Sequence, residues 1–418
     1  MKKLTSSLRR QQNGIVFMSI SILVFSYLFY FNSDRKEVVT FGFIVGDEWN
    51  LFTEWNIASR SGALIFLFVA FIGLMLSISQ VRRRKKLTLG AFVFGVGSFL
   101  AFLSWAAAGQ LVPITGLLQG GVMLSVPLIF GSMSGLLCEK SGVINIAIEG
   151  HLLFSAFVAA VVASLFQNTF FGLISAPLAG VLVSFILAYF SIHFKVDQVI
   201  IGFVINILVL GVTTFFYSTL LIPYEEKWNM GGSFPVFPLP ILSKIPIIGP
   251  ILFNQTIIVY LMYIFIVIIQ IVLFKSRWGL RTRAVGELPI AADSVGINVN
   301  RLRFKNVLIS GFIAGIGGAF FTVGAVGPFS QSMTAGAGFI ALACLIFGKW
   351  TPRGAIAAAL FFGFANNLQG YLSIIGVSIP SEFLLMIPYL ATILAVSGLV
   401  GRVRAPAAGG IPYSRGDK

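Results

Sequence analysis

Charge is scarce in this chain. Only 10 % of its 418 residues are Asp, Glu, Lys or Arg, and the 14 acidic residues are outnumbered by 29 Lys and Arg. Ordinary soluble domains carry about 25 % charged residues, so the deficit excludes that class. Cysteine and histidine are scarcer still. Cys138 and Cys344 lie at or inside apolar segments, where they read as small packing residues rather than a disulfide or a metal pair. His151 and His193 are far apart and neither belongs to an H-E-x-x-H pattern, so no metal is expected. No G-x-x-x-x-G-K-[ST] occurs, because Gly348-Lys349 is followed by Trp350 and lacks the upstream glycine. The chain therefore has no phosphate-cradling loop of its own. No paired catalytic carboxylates or nucleophile elbow stand out either, which leaves an integral membrane enzyme without machinery.

What is abundant is apolar. The chain is 57 % hydrophobic, with mean hydropathy +0.95. Blocks near the length of about 20 residues that spans a bilayer fall at 15–31, 63–80, 89–108, 116–137, 151–166, 172–192, 199–221, 257–274, 306–326, 336–348, 354–372 and 383–400. Their continuity excludes a β-barrel, whose strands alternate. The expectation is an all-α polytopic membrane protein of about 12 spans. The first, after the basic opening MKKLTSSLRRQQN, has no small-residue cleavage site and reads as retained. The block at 336–348 is short and follows Gly327-Pro328, so it reads equally as a re-entrant or broken helix.

Basic residues stay on the cytoplasmic side of membrane spans. Alternating sides from a cytoplasmic N-terminus puts 24 of the 29 Lys and Arg inside and five (Arg35, Lys36, Arg60, Lys227, Lys244) outside. Both termini are then cytoplasmic, and the net charge of +15 reports orientation rather than nucleic acid. The external segments 32–62 and 222–256 read either as solvated loops or as faces for a partner outside.

The stretch Lys275–Lys305 holds seven of the basic residues. Within it Pro289 can open a short helix that Ile290, Ala291, Ala292 and Val295 continue and Gly296 ends. A second polar run, MSGLLCEKSGVINIAIEG, places Glu139, Lys140, Asn145 and Glu149 between two spans. Ionisable groups at membrane depth face a bundle interior or a watery path; a plain cytoplasmic turn remains the alternative. Asn366-Asn367-Leu368-Gln369 lies late in an apolar span and offers either solute contacts or helix glue. Gly311, Gly315, Gly317 and Gly318 let helices approach closely.

Two passages, GLLCEKSGVINIAIEGHLLFSAF (135–157) and GLRTRAVGELPIAADSVGINVNRLRFKNVLISGFIAGIGGAF (279–320), resemble the permease subunits of bacterial ATP-binding-cassette importers of the ribose, nucleoside and branched-chain amino acid group. The first is most similar to the smaller permease of nucleoside, basic-membrane-lipoprotein-dependent systems. The resemblance spans residues 110–400 and implies a type II importer-like helical bundle in the bacterial plasma membrane. It divides the chain into an N-terminal extension at 1–110 with three spans, a permease core at 111–400, a coupling loop at 275–305 and a tail at 401–418.

It further implies partners: a separate ATPase subunit or fused tandem ATPase, a second permease that is a paralogue or a copy, and an extracytoplasmic solute-binding lipoprotein. These work within membrane lipid and without nucleic acid. No cofactor is expected, since ATP belongs to the partner. By this resemblance Arg281, Arg283, Ala284, Gly286, Glu287, Pro289, Ala291, Ala292 and Gly296 form the ATPase-coupling surface. Asn145, Glu149, Asn366 and Asn367 are the solute-path candidates. The expected solute is a nucleoside or similar ribose-containing molecule; a simple sugar or branched-chain amino acid is the nearest rival. An ion-coupled secondary transporter would want ionisable residues in both halves, and the spans from 306 onward carry almost none.

Overall fold

A computed structural model describes residues 2–32, 37–46, 48–49, 54–83, 88–377, 383, 386 and 405–414. The chain divides into two units. One comprises Met1–Gln119, Pro240–Ile251 and Asn366–Leu399; the other comprises Gly120–Leu239, Leu252–Ala365 and Val400–Lys418.

The first unit opens with helices α1 (Lys2–Asn32), α2 (Ser59–Arg82) and α3 (Thr88–Ala106). Small residues line the α2–α3 seam: a side-chain carbon on Gly73 or Gly97 would collide with the backbone of Phe94 or Ala70. Such contact is the main source of helix association where lipid removes the hydrophobic drive. On α1, Met18 and Phe29 pack against Leu74 and Leu67 of α2. The strands β1 (Val38–Gly42), β2 (Trp55–Ala58) and β3 (Leu111–Pro113) form a small sheet in the order β2-β1-β3. The segment read as an external loop at 32–62 thus contains strands, and its Trp49 amide donates at 3.0 Å to the Lys244 carbonyl, in the other segment expected to be external.

Helix α4 (Ile114–Glu139) carries the chain into the second unit. There follow α5 (Ile148–Phe166), α6 (Thr169–Ala188), α7 (Gln198–Phe216), the single turn α8 (Glu225–Trp228), α9 (Ile257–Lys275), α10 (Arg277–Glu287), α11 (Pro289–Ser294), α12 (Val299–Phe321), α13 (Ala337–Phe347) and α14 (Pro352–Ile374). Helix α12 is the centre, packed on α6 and α5. Gly311 and Gly315 of α12 press against Gly180 and Ala176 of α6, so closely that a side-chain carbon at Gly311 would collide with the Gly180 carbonyl. His151, fully buried on α5, bridges to α6: Nδ1 lies 2.5 Å from the Ala147 carbonyl and Nε2 2.7 Å from Ser184 Oγ. Both cysteines are buried and unbridged.

Nine helices among the described residues are long and apolar enough to cross a membrane. Three of the twelve expected blocks are not among these nine; the one at 354–372 is the 23-residue helix α14. The block at 336–348 is an 11-residue helix, roughly 16 Å long at 1.5 Å per residue and about half the hydrocarbon thickness. The block at 383–400 lies outside the described residues apart from Phe383 and Met386.

Overpacking the α6–α12 seam should destabilise the chain by about 1–3 kcal/mol. Gly311→Val is expected to lower the unfolding temperature in detergent, whereas Gly211→Ala, at a helical position with open space around it, should not. Equal melting of the two variants would contradict the seam.

Candidate functional site

Between α4 and α5 the chain leaves helical geometry, and its backbone groups must find partners elsewhere. Gly142 adopts φ +90°, a conformation that favours glycine. Helix α7 supplies the partners. Gln198 Oε1 accepts from the Ile144 amide at 2.7 Å, Asn206 Nδ2 donates to the Ile146 carbonyl at 3.0 Å, and Asn206 Oδ1 accepts from the Gly150 amide at 2.8 Å. Sequence reasoning missed both residues. The available signal was two amides eight positions apart on one face of an otherwise apolar span. Glu139, at the last turn of α4, accepts from Trp350 Nε1 at 2.5 Å.

Glu149 sits in the first turn of α5, where a negative charge complements the helix dipole. Its carboxylate also reaches the start of α13. Oε1 accepts from Thr334 Oγ1 at 2.6 Å and from the Gly336 amide at 2.9 Å, and Oε2 accepts from the Gly338 amide at 2.6 Å. One carboxylate in the first turn of α5 therefore caps the N-terminus of α13 and braces the unwound chain before it. Asn145 is fully buried, and neither its Oδ1 nor its Nδ2 has a hydrogen-bond partner among the described residues. Asn366 and Asn367 belong to the first unit, where Asn367 Nδ2 donates to the Leu117 carbonyl at 2.8 Å. Of the four solute-path candidates, the structure thus brings Asn145 and Glu149 into one turn and shows Asn367 bonded between helices.

The 275–305 loop is almost wholly helical. Ser276 caps α10 by accepting from the Gly279 amide at 3.0 Å. Leu288 is extended, Pro289 opens α11, and Gly296 turns the chain at φ +85°. The expected short helix is present, but α10 escaped notice. Its buried stripe is Gly279, Thr282, Val285 and Gly286, too narrow and too small to register as apolar periodicity.

Burial sorts the nine expected coupling residues into inward and outward groups. Gly286 and Ala292 face inward: a side-chain carbon at Gly286 would collide with the Lys140 carbonyl, and Ala292 clusters with Val285 and Val299. Their small size admits the chain's own turn rather than an outside partner. Arg283 is half-buried, its guanidinium 5.2 Å from the Phe274 ring centroid, and Ala284 and Pro289 are half-buried too. Arg281, Glu287, Ala291 and Gly296 are exposed. Beside them stand three apolar side chains that the expected set did not contain, Leu288, Ile290 and Val295, exposed by 58, 60 and 75 %. Burial pulls the Lys140 ammonium below its ordinary value, and the neighbouring Glu287 carboxylate partly offsets this.

Residues 117–396 match the family described as branched-chain amino acid transport system / permease component. The chain is 40 % identical over 311 residues to the guanosine ABC transporter permease protein NupQ of Bacillus subtilis, covering 71 % of this chain and 96 % of that protein. It is 38 % identical over 304 residues to the nucleoside ABC transporter permease protein NupC of Lactococcus lactis, covering 70 % and 94 %. A second Bacillus subtilis protein, the guanosine ABC transporter permease protein NupP, is 27 % identical over 297 residues, covering 68 % and 83 %. No solved structure matches the chain.

Hydrogen bonds to a charged group contribute about 1.5–3 kcal/mol each. Glu149→Gln keeps one acceptor oxygen but cannot accept from both the Gly336 and Gly338 amides, and should lower detergent stability by about that amount. Thr334→Ala, which removes one of three bonds, should cost less. Thermal unfolding of the three proteins tests this ordering.

Proposed function

The chain belongs to the branched-chain amino acid transport system / permease component family of multi-pass membrane permeases, and on that premise we propose that it imports nucleosides as one permease of an ATP-binding-cassette transporter. Its similarity to permeases named for guanosine and nucleosides, at 40 and 38 % identity over most of their length, supports this solute class. The ATPase is a separate subunit, because the chain has no phosphate-cradling loop. The observation that carries the reading is the exposed apolar edge of α11. Leu288, Ile290 and Val295 stand in solvent on a loop holding seven basic residues. Such an apolar centre with charged neighbours, here Arg281 and Glu287, suits a protein–protein interface.

The loop is cytoplasmic. Positive residues favour that side, and the geometry gathers several assigned there by charge alone: Lys140 packs against Gly286, and Lys195 bonds to Ser414 of the tail. The second permease is a paralogue rather than a copy. Two Bacillus subtilis permeases named for guanosine match this chain at quite different identities, which supports a pair of unlike subunits. An extracytoplasmic binding protein delivers the solute and holds most of the specificity.

Ile290→Asp combined with Val295→Asp changes only exposed side chains and should leave the protein folded. It is expected to reduce co-purification of the ATPase at least about tenfold, a loss of about 1.4 kcal/mol, and to abolish uptake of labelled guanosine. Unlabelled nucleosides should compete with that uptake, whereas glucose and leucine should not. Undiminished ATPase retention would sink the docking face, and competition by glucose or leucine would reassign the solute.

A further inference from the structure

Arg303, in the second turn of α12, is 2 % exposed and among the largest fully buried side chains. Removing a guanidinium from water is expensive unless it is well paired, yet the bonds it makes go to main-chain carbonyls rather than to a carboxylate. Nε donates to Ser141 at 3.1 Å and Nη1 donates to Ile411 at 2.8 Å. One side chain thereby joins the turn after α4 to the C-terminal segment 405–414.

That segment reads APAAGGIPYS, a composition that suits a flexible tail. It is instead laid into the protein. The Ala408 amide donates to the Gly286 carbonyl at 2.9 Å, and the Gly410 amide to the Gly142 carbonyl at 3.3 Å. Tyr413 packs on the Val285–Ala292–Val299 cluster under the docking helices, and Lys195 Nζ bonds Ser414 Oγ. Ala405, Pro406 and Gly409 close one side of a cavity of 230 Å³ shared with Glu139 and Trp350. Gly142 is fitted to this crossing, because a side-chain carbon there would lie 2.6 Å from Arg303 Nη2 and 3.1 Å from the Ala408 carbonyl.

We propose that residues 405–414 are a strap, and that Arg303 is its positioning residue, together binding the α10–α11 docking helices to the Glu139–Gly142 turn so that helices and turn move as one body. Extended Leu288 and the Gly296 turn flank α11, and without the strap these joints would absorb a push on Leu288, Ile290 and Val295. With it, the push reaches α4 and α5 directly. The role in transmission rests on α11 being the ATPase dock.

The test uses the full transporter, with its partner permease, ATPase and binding protein, in vesicles. Three variants are compared with the wild type: Arg303→Gln, Ala408→Pro, which removes one strap N–H and leaves Arg303 intact, and a chain ending after Arg404. ATP hydrolysed per guanosine imported should rise at least about tenfold, with ATPase retention and the KM for guanosine unchanged. A merely structural loss would lower hydrolysis and uptake together. In parallel, backbone amide exchange of Gly410 and of α10–α11 should quicken about tenfold in Arg303→Gln, and a fourth variant, Arg303→Lys, should keep part of the protection. An unchanged hydrolysis-to-uptake ratio in the truncated chain, with ATPase still bound, overturns the transmission role. Unprotected Ala408 and Gly410 amides in the wild type overturn the strap itself. A wild-type protein that retains no ATPase rejects the docking reading instead, and the exchange measurement still decides the strap.

Discussion

A carboxylate that joins the first turn of α5 to the start of α13 governs the central part of this molecule. Backbone that unwinds near a membrane has no water to satisfy it, so each freed N–H and C=O must be matched from within the protein. The chain unwinds before α5 and again before α13; Glu149, in the first turn of α5, bonds the amides that open α13. Its charge matters as much as its reach, because each helix start presents partial positive charge that a neutral side chain would offset less. Gln198 and Asn206 complete the arrangement from α7. The irregular turns are therefore fixed features with assigned partners, and they bring α4, α5, α7 and α13 together at points the helices alone would not define.

Small residues decide how tightly the rest can gather. Where α6 meets α12, Gly180 and Gly311 bring two backbones into contact, and His151 spans α5 and α6 with both ring nitrogens engaged. The same device serves the polar loop. Gly286 lets α10 lie on the Lys140 carbonyl, and Gly142 leaves room for Arg303 and the C-terminal segment. Glycine thus sets contacts within the bundle and contacts between the bundle and its docking helices by one physical means.

Helix content and membrane insertion were legible in the sequence because both follow from long apolar runs, and α11 was legible because Pro289 and Gly296 mark its ends. Less visible features share a cause: their stabilising partners are remote in sequence. Helix α10 buries glycine and threonine rather than an apolar stripe. The strands at 38–42 and 55–58 depend on each other and on 111–113. The sequence singled out Glu149 as a costly charge, but its partners, 185 to 189 residues away, could not be named. Gly286 and Ala292 were read as small residues for close packing with a partner, and the structure packs both against the same chain, through contacts remote in sequence for Gly286.

The division of labour on the docking loop follows from these placements. Its outward face is apolar at the centre and sparsely charged around it, so the proposed association would draw on burial, with Arg281 and Glu287 at its margin. Its inward face is knitted to the α4–α5 turn, which continues through Ile146 and Gly150 to Asn206 and through Glu149 to α13. The docking helices and the α4–α5 turn are thus joined by hydrogen bonds and close backbone contacts, several of them made by the side chains of Arg303, Asn206 and Glu149. Lys140 sits at that turn, half-buried, where burial pulls its ammonium below the ordinary value, Glu287 partly offsets this and Arg283 adds to it.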